Sequence, residues 1–192
     1  MNETHFNMGT LENHILISMP HLKDPYFNES IVLICEHSKD GALGLIINKP
    51  FKKSQLKILF NNFDNKNDQL LKTSRKLYFG GPVLIERGIL LHNSSYNIKN
   101  SIKISDQFSI TSNNKILKDI NDDNDQVQYK LILGHSGWTS GQLEKEIENG
   151  DWLMQSASSD FVFNTDESLM WQTAANSFGV ELSQIASFGG SA

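Results

Sequence analysis

An α+β fold built on a largely antiparallel sheet is what this amino-acid sequence predicts, on three observations. Apolar, β-branched runs at 14–19, 31–35 and 42–47 read as strands, Asp40-Gly41 between the last two reads as a hairpin turn, and helical periodicity is confined to later stretches. No regular βαβ alternation runs through the chain, so a parallel sheet is not expected.

In chain order, His14–Met19 is an apolar run stopped by Pro20, and Asp24-Pro25 marks a turn because proline fixes φ and restricts the residue before it. Ile31–Cys35 is apolar at consecutive positions, as in a strand covered on both faces. A two-residue turn at Asp40-Gly41 would place His37 opposite Gly44 and leave room beside the imidazole. Past Pro50, Leu56, Leu59, Phe60 and Phe63 follow i, i+3, i+4, i+7 behind Ser54 as N-cap, which predicts an amphipathic helix. The polar stretch Asn61–Gln69 suits a solvated connection. Leu77-Tyr78-Phe79 and Gly88–His92 read as strands on either side of the Gly80-Gly81-Pro82 turn.

Apolar residues at the even positions 98, 102, 104, 108 and 110 predict one or two half-exposed strands. Ile116–Ile120 should form a short helical turn ahead of an acidic loop at Asn121–Asp125. Tyr129–Leu133 reads as a strand that gives way at Gly134-His135-Ser136-Gly137-Trp138 to a helix. Thr139 with Gln142 fits a capping box there, Leu143 and Ile147 supply the buried stripe, and Gly150 ends the helix. Phe161–Phe163 reads as a brief strand. Trp171, Ala174, Ala175 and Phe178 repeat at helical spacing, with Gly179 placed just past the end. The first ten or so residues and the tail 188–192 should be flexible.

The 192 residues suit a single domain over 1–192, large enough to bury a core without disulfide or metal. Seventeen Lys and Arg oppose 22 Asp and Glu, giving a net charge of −5 and a pI near 5.6. Lys49, Lys52, Lys53 and Lys57 form only a modest basic cluster, so no direct nucleic-acid contact is expected. No apolar run reaches the roughly 18 residues of a membrane span, and Met1–Phe6 lacks the basic-then-apolar pattern of an export signal. The single cysteine, Cys35, suits a reducing compartment. A cytoplasmic protein with no membrane partner is expected.

The chemistry-bearing motifs mostly fail on inspection. Gly134–Trp138 resembles a nucleophile elbow around Ser136, but Trp138 stands where the final glycine of G-x-S-x-G belongs. Strand alternation would put Cys35 and His37 on one face with Glu36 between them. Zinc needs three or four converging ligands, and none nearby completes the set. No metal, no cofactor and no catalytic group is therefore assigned. The acidic stretch from Asp119 lacks the glycine and closing glutamate of a calcium loop. Gly80-Gly81 invites a phosphate cradle, yet Pro82 removes a donor and no P-loop pattern follows. Arg87 is the cation suited to hold a carboxylate or phosphate, with an ion pair to Glu86 as the plainer reading.

Many short blocks, in order, resemble the AlgH/YqgE family of bacterial proteins. They are Ile17–Pro20, Asp24–Phe27, Ser30–His37, Gly41–Pro50, Gly80–Val83, Arg87-Gly88, His92, Gly134, Gly137-Trp138, Gly141–Glu144, Glu146-Ile147 and Trp152-Leu153. The resemblance implies one α+β domain whose bifurcated sheet curls into a pseudo-barrel with flanking helices, and a bacterial cytosolic protein without an established reaction. Family members carry a transcriptional-regulator label because the namesake was linked to alginate production, which implies an indirect role. This chain departs from the family at Ser136, where alanine is usual, and at its Gly189-Gly190-Ser191-Ala192 end, where glycine-histidine-alanine is usual.

The expected function is non-enzymatic interaction or regulation with a protein partner. Its candidate contact residues are Glu36, His37, Asn48, Arg87, His92, Trp138 and Gln142. The alternative is a small-molecule-binding protein or hydrolase-like enzyme that uses Glu36, His37 and His92 around a pocket.

Overall fold

In the computed structural model, which describes residues 9–61, 76–95, 99–112 and 127–179, the strand-rich first half begins with β1 (His14–Ser18), β2 (Ile31–Ser38) and β3 (Gly41–Ile46). These pair antiparallel in sequence order, with Ile15 opposite Leu33 and Ser38 opposite Gly41. The loop of the β2–β3 hairpin is therefore Lys39-Asp40, one residue earlier than the Asp40-Gly41 reading, and His37 faces Ala42 while Gly44 faces Ile34. The reason is packing. Gly41 has φ 137, and a Cβ there would lie 2.2 Å from the Trp138 carbonyl oxygen, so this glycine is needed in the strand for close approach rather than in the turn.

A bulge between Ile34 and Glu36 also breaks the alternation. Cys35 belongs to the main core and Glu36 pairs with Leu43, which packs against that core. His37 pairs with Ala42, a member of the cluster on the opposite face. Cys35 and His37 thus do not share a face, contrary to the expectation from simple alternation.

Next come α1 (Lys53–Asn61), β4 (Leu77–Phe79), β5 (Val83–Asn93), β6 (Ile102–Lys103), β7 (Phe108–Thr111) and β8 (Tyr129–Thr139). Ser54 lies inside the first turn of α1 rather than at its cap, and the Lys52 N–H donates to Gln55 Oε1 at 2.8 Å. The half-exposed strand pattern resolves into the β6–β7 hairpin. The chain closes with α2 (Gln142–Glu148), β9 (Trp152–Ser156), α3 (Ser159–Asn164) and α4 (Glu167–Ser177). The Phe60 side chain, Phe63, Ile98, Ile116–Ile120, the 121–125 loop and the 188–192 tail lie outside the described residues.

Strand β8 makes the sheet fork. On one edge it pairs with β5, from Gly88 opposite Leu133 to His92 opposite Tyr129. On the other edge its first half pairs with β4 in parallel, and its last residues pair with β3, Gly44 opposite Ser136. The path β6-β7-β5-β8-β3-β2-β1-β9 with β4 on the side makes a nine-stranded sheet, antiparallel at every described pairing but β4–β8. At the fork the Gly80 carbonyl accepts from Ile46 N–H at 3.0 Å and from Ser136 Oγ at 3.0 Å. The Gly80 N–H donates to Leu133 O at 2.8 Å, so it is not free to cradle an anion.

The curl encloses the main core, in which Ile15, Leu33, Leu45, Leu91 and Ile132 meet Val162 of α3 and Met170, Ala174 and Ala175 of α4. A second cluster on the other face joins Ile34 and Trp138 to Leu143 of α2. A third joins Leu90 and Leu131 to Leu56 and Leu59 of α1.

Two sequence expectations are corrected here. The 161–163 segment is helical: Ser158 caps it by accepting the Phe161 N–H at 3.2 Å, and fully buried Val162 points into the main core. Three consecutive apolar residues carry no period that could separate helix from strand. Strand β8 also runs on through Gly134–Thr139, and the turn into α2 is Ser140-Gly141. Pairing with β3 extends the strand there, a partner invisible to local pattern. β9, unforeseen, pairs along all of β1.

Candidate functional site

The end of the β2–β3 hairpin meets α2 in a dense polar junction. His37 Nδ1 accepts the Leu11 N–H at 3.2 Å, which leaves Nε2 as the protonated nitrogen, and Nε2 donates to Glu144 Oε1 at 2.8 Å. Both ring nitrogens are engaged within the protein and the side chain is 11% exposed, so the imidazole offers neither nitrogen to a ligand in this arrangement.

Two residues further along α2, Glu146 Oε2 accepts from two indoles, Trp138 Nε1 at 2.8 Å and Trp152 Nε1 at 2.9 Å. The rings stand edge to face at 6.3 Å, with Phe27 packed edge-on against Trp152 at 5.7 Å. Glu146 Oε1 accepts from Gln142 Nε2 at 2.9 Å. Gln142 Oε1 in turn accepts from Thr139 N–H at 3.0 Å. Half of the expected capping box is thus formed, although Gln142 is the first helical residue rather than the third.

Asn48 is a spacer pin. Its Oδ1 accepts the Ile31 N–H at 2.9 Å and its Nδ2 donates to Glu29 O at 3.0 Å, holding the turn in which Glu29 takes φ 51. Lys49 Nζ donates to the Tyr26 and Asn28 carbonyls of the same turn at 2.9 and 2.7 Å. Ser136 is fully buried with its hydroxyl given to Gly80 O, which leaves no exposed nucleophile at the elbow-like segment. Cys35 is buried, and burial together with the charges of Glu12 and Glu36 pushes its thiol well above the ordinary range, the opposite of an activated cysteine.

His92 is fully buried. Its Nδ1 donates to Asn93 O at 2.9 Å and its Nε2 accepts from Ser101 Oγ at 3.2 Å. Burial lowers its proton affinity. His92 lies opposite Tyr129, whereas His37 connects through Ala42 to Trp138. Tyr129 begins β8 and Trp138 lies nine residues on, near its end, so the two histidines sit beside opposite ends of that strand. Glu36, His37 and His92 do not converge on one pocket.

What stays open is the rim. Glu36 is exposed and, with Ser38, Asp40, Leu43 and Trp138, lines a shallow depression of about 220 Å³. Arg87 is exposed and makes no ion pair among the described residues, so the pairing with Glu86 is not formed. It ends a four-residue bulge, Leu84 to Arg87, between the Val83–His135 and Gly88–Leu133 pairs. Leu84 there takes φ 48 and is 46% exposed. His135, which follows Gly134, loses proton affinity through burial and the nearby Arg87 charge. Among the described residues no cluster of His, Cys, Asp or Glu could hold a metal ion, and no helix is long and apolar enough to cross a membrane.

With this geometry in view, the AlgH-like family profile matches residues 15–183. The chain belongs to the AlgH-like family. A UPF0301 protein of Vibrio vulnificus is 37% identical over 185 residues, covering 95% of this chain and 99% of the relative. One from Blochmanniella floridana is 37% identical over 175 residues, covering 90% and 91%. The solution structure of AlgH from Pseudomonas aeruginosa superposes with a TM-score of 0.66 at 28% identity, covering 96% of this chain and 100% of that one. A Corynebacterium diphtheriae crystal structure, at 20% identity, TM-score 0.63 and 88% of each chain, shares the fold.

For this AlgH-like chain, reading residues alone overlooked Glu144, Glu146 and Trp152 as site members, although they fall within the family blocks. Glu144 lies 107 positions from His37, and no local pattern announces such a pair. Gln142 and Glu146, one helical turn apart, carried the single available signal.

Proposed function

We propose that this AlgH-like chain is a non-enzymatic interaction protein of the bacterial cytosol, acting in regulation indirectly through a protein partner. One observation supports this above all. His37, Asn48, His92 and Trp138 have their polar groups engaged inside the protein, whereas Glu36 and Arg87 stand exposed on the rim. Rigid strands that present charges at their ends suit recognition more than bond making. The net charge of −5 gives a nucleic-acid role no support.

The test is capture from a bacterial lysate with wild type and a Glu36→Ala/Arg87→Ala double variant. The expected result is a partner lost from the variant while its melting temperature is unchanged. Equal capture by both proteins, or a variant that loses stability along with its partner, would contradict the surface. Duplex DNA binding with a steep fall between low and physiological salt would instead favour direct regulation.

A further inference from the structure

The two open charges of the rim, Glu36 and Arg87, belong to one strip of sheet. Glu36 of β2 pairs with Leu43 of β3, and Leu43 pairs with Gly137 of β8. Residues paired directly across strands stand on one face, so these three form a row. Two residues back along β8, on the same face by strand alternation, His135 pairs with Val83 of β5. The strip thus crosses four neighbouring strands, β2-β3-β8-β5. Arg87 stands at its far end, close enough for its charge to act on His135.

Among the described residues nothing covers the middle of the strip. Gly137 is exposed, and no atom lies within 4 Å of the place its Cβ would take. Leu43 on one side of it is half-buried, and Val83 and Leu84 on the other are exposed apolar side chains. At the β2 end Glu36 makes no hydrogen bond or ion pair among the described residues, and the depression it lines also holds the exposed Asp40. At the β5 end Arg87 is likewise unpaired, with the exposed Glu86 its neighbour in sequence.

An apolar floor with an anionic end and a cationic end fits an occupant that carries both signs of charge, set apart. A small ion would satisfy one end and leave the other bare. Duplex nucleic acid would be repelled at the Glu36–Asp40 end. An extended peptide carries separated side-chain charges with apolar residues between them, and complementary charges of this kind fix register and choose among partners.

We propose that the strip from Glu36 to Arg87 seats an extended peptide segment of a partner protein. That segment sets a basic side chain against Glu36 and Asp40, an apolar residue over Gly137, and an acidic side chain against Arg87. This partner chemistry rests on the rim being a recognition surface, and adds what the partner must present there.

Random peptides displayed on phage are selected against the full chain and its variants, and the selected sequences are synthesised and titrated by fluorescence anisotropy. Wild type should select peptides that combine Lys or Arg with Asp or Glu, apolar residues lying between them. Glu36→Lys should exchange the basic preference for an acidic one and leave the other end alone, and Arg87→Glu should do the converse. Gly137→Trp fills the strip and should no longer bind the wild-type peptides, at an unchanged melting temperature. The two charge swaps are at exposed positions and decide the matter should the tryptophan variant not fold. Failure to select any peptide, selected peptides of one charge sign or none, preferences that ignore the charge swaps, or binding that survives in a folded Gly137→Trp chain would overturn the proposal. So would self-association of the chain that Gly137→Trp abolishes, which would give the strip to a second copy. Loss of lysate capture in the Glu36/Arg87 double variant alongside any of these results would keep the rim as a surface and remove this partner chemistry alone.

Discussion

His37 Nε2 and Glu144 Oε1 stand 2.8 Å apart, and that bond fastens the tip of the β2–β3 hairpin to α2. The same helix holds Trp138 and Trp152 through Glu146. The hairpin end is therefore a braced platform, and the exposed Glu36 beside it is carried on rigid backbone.

Removing either partner of the brace should cost stability. Glu144→Ala and His37→Ala are each expected to lose about 1–2 kcal/mol, and the double variant less than their sum, since both delete one interaction. Urea unfolding of the four proteins at one pH checks this. Strict additivity would mean that the bond contributes nothing.

Glu146→Ala leaves two buried indole N–H groups without an acceptor, and a loss of about 2–4 kcal/mol is expected. Glu146→Gln keeps one oxygen for them and should recover part of it. Tryptophan emission should shift to the red in the alanine variant as the ring cluster loosens, and an unmoved spectrum would argue that the indoles hold without the carboxylate.

The glycines at the fork should be far less tolerant than the glycine on the rim. A Cβ on Gly80 would lie 2.4 Å from the Gly134 carbonyl oxygen, and one on Gly81 2.3 Å from His135 backbone, while nothing lies within 4 Å of a Cβ on Gly137. Gly81→Ala, at φ 146, is expected to cost about 3 kcal/mol or more, and Gly137→Ala less than about 1 kcal/mol. Thermal unfolding of both variants gives the ordering, and a reversed one would refute this packing of the Gly80-Gly81 turn.

Burial of Lys130 on β8 makes stability depend on pH in a defined sense. Its amine titrates at about 8 in the folded chain against 10.5 ordinarily, so between those values the unfolded chain binds more protons. Stability contributed by this group therefore rises with pH from about 8 to 10.5, and the full penalty, at most roughly 3 kcal/mol, is present below 8. Lys130→Met should be more stable than wild type at pH 7 and should lack this part of the rise. Urea midpoints of both proteins from pH 7 to 10.5 test it, and parallel profiles would exclude the effect.

Much of the strand layout was legible because burial of both faces leaves consecutive apolar residues, as in Ile31–Cys35, and because Pro20 and Gly150 punctuate the chain locally. Other features were not. Helix α3 looked like a strand because Phe161–Phe163 is too short to show a period. The hairpin slipped by one residue because Gly41 answers to the Trp138 carbonyl of another strand, not to its own turn. Among the site candidates, Glu36 and Arg87 proved open, whereas His37 was expected beside an open space that the observed register fills with Ala42.

Residue order alone was enough to settle the α+β class, the positions of most elements and family membership, since these follow from local periodicity, turn chemistry and ordered blocks. Which polar groups are spent inside the protein and which remain for a partner depends on contacts such as His37 with Glu144 and Ser136 with Gly80. Those partners are far apart along the chain, and only folding, which brings their atoms within hydrogen-bond reach, decides them.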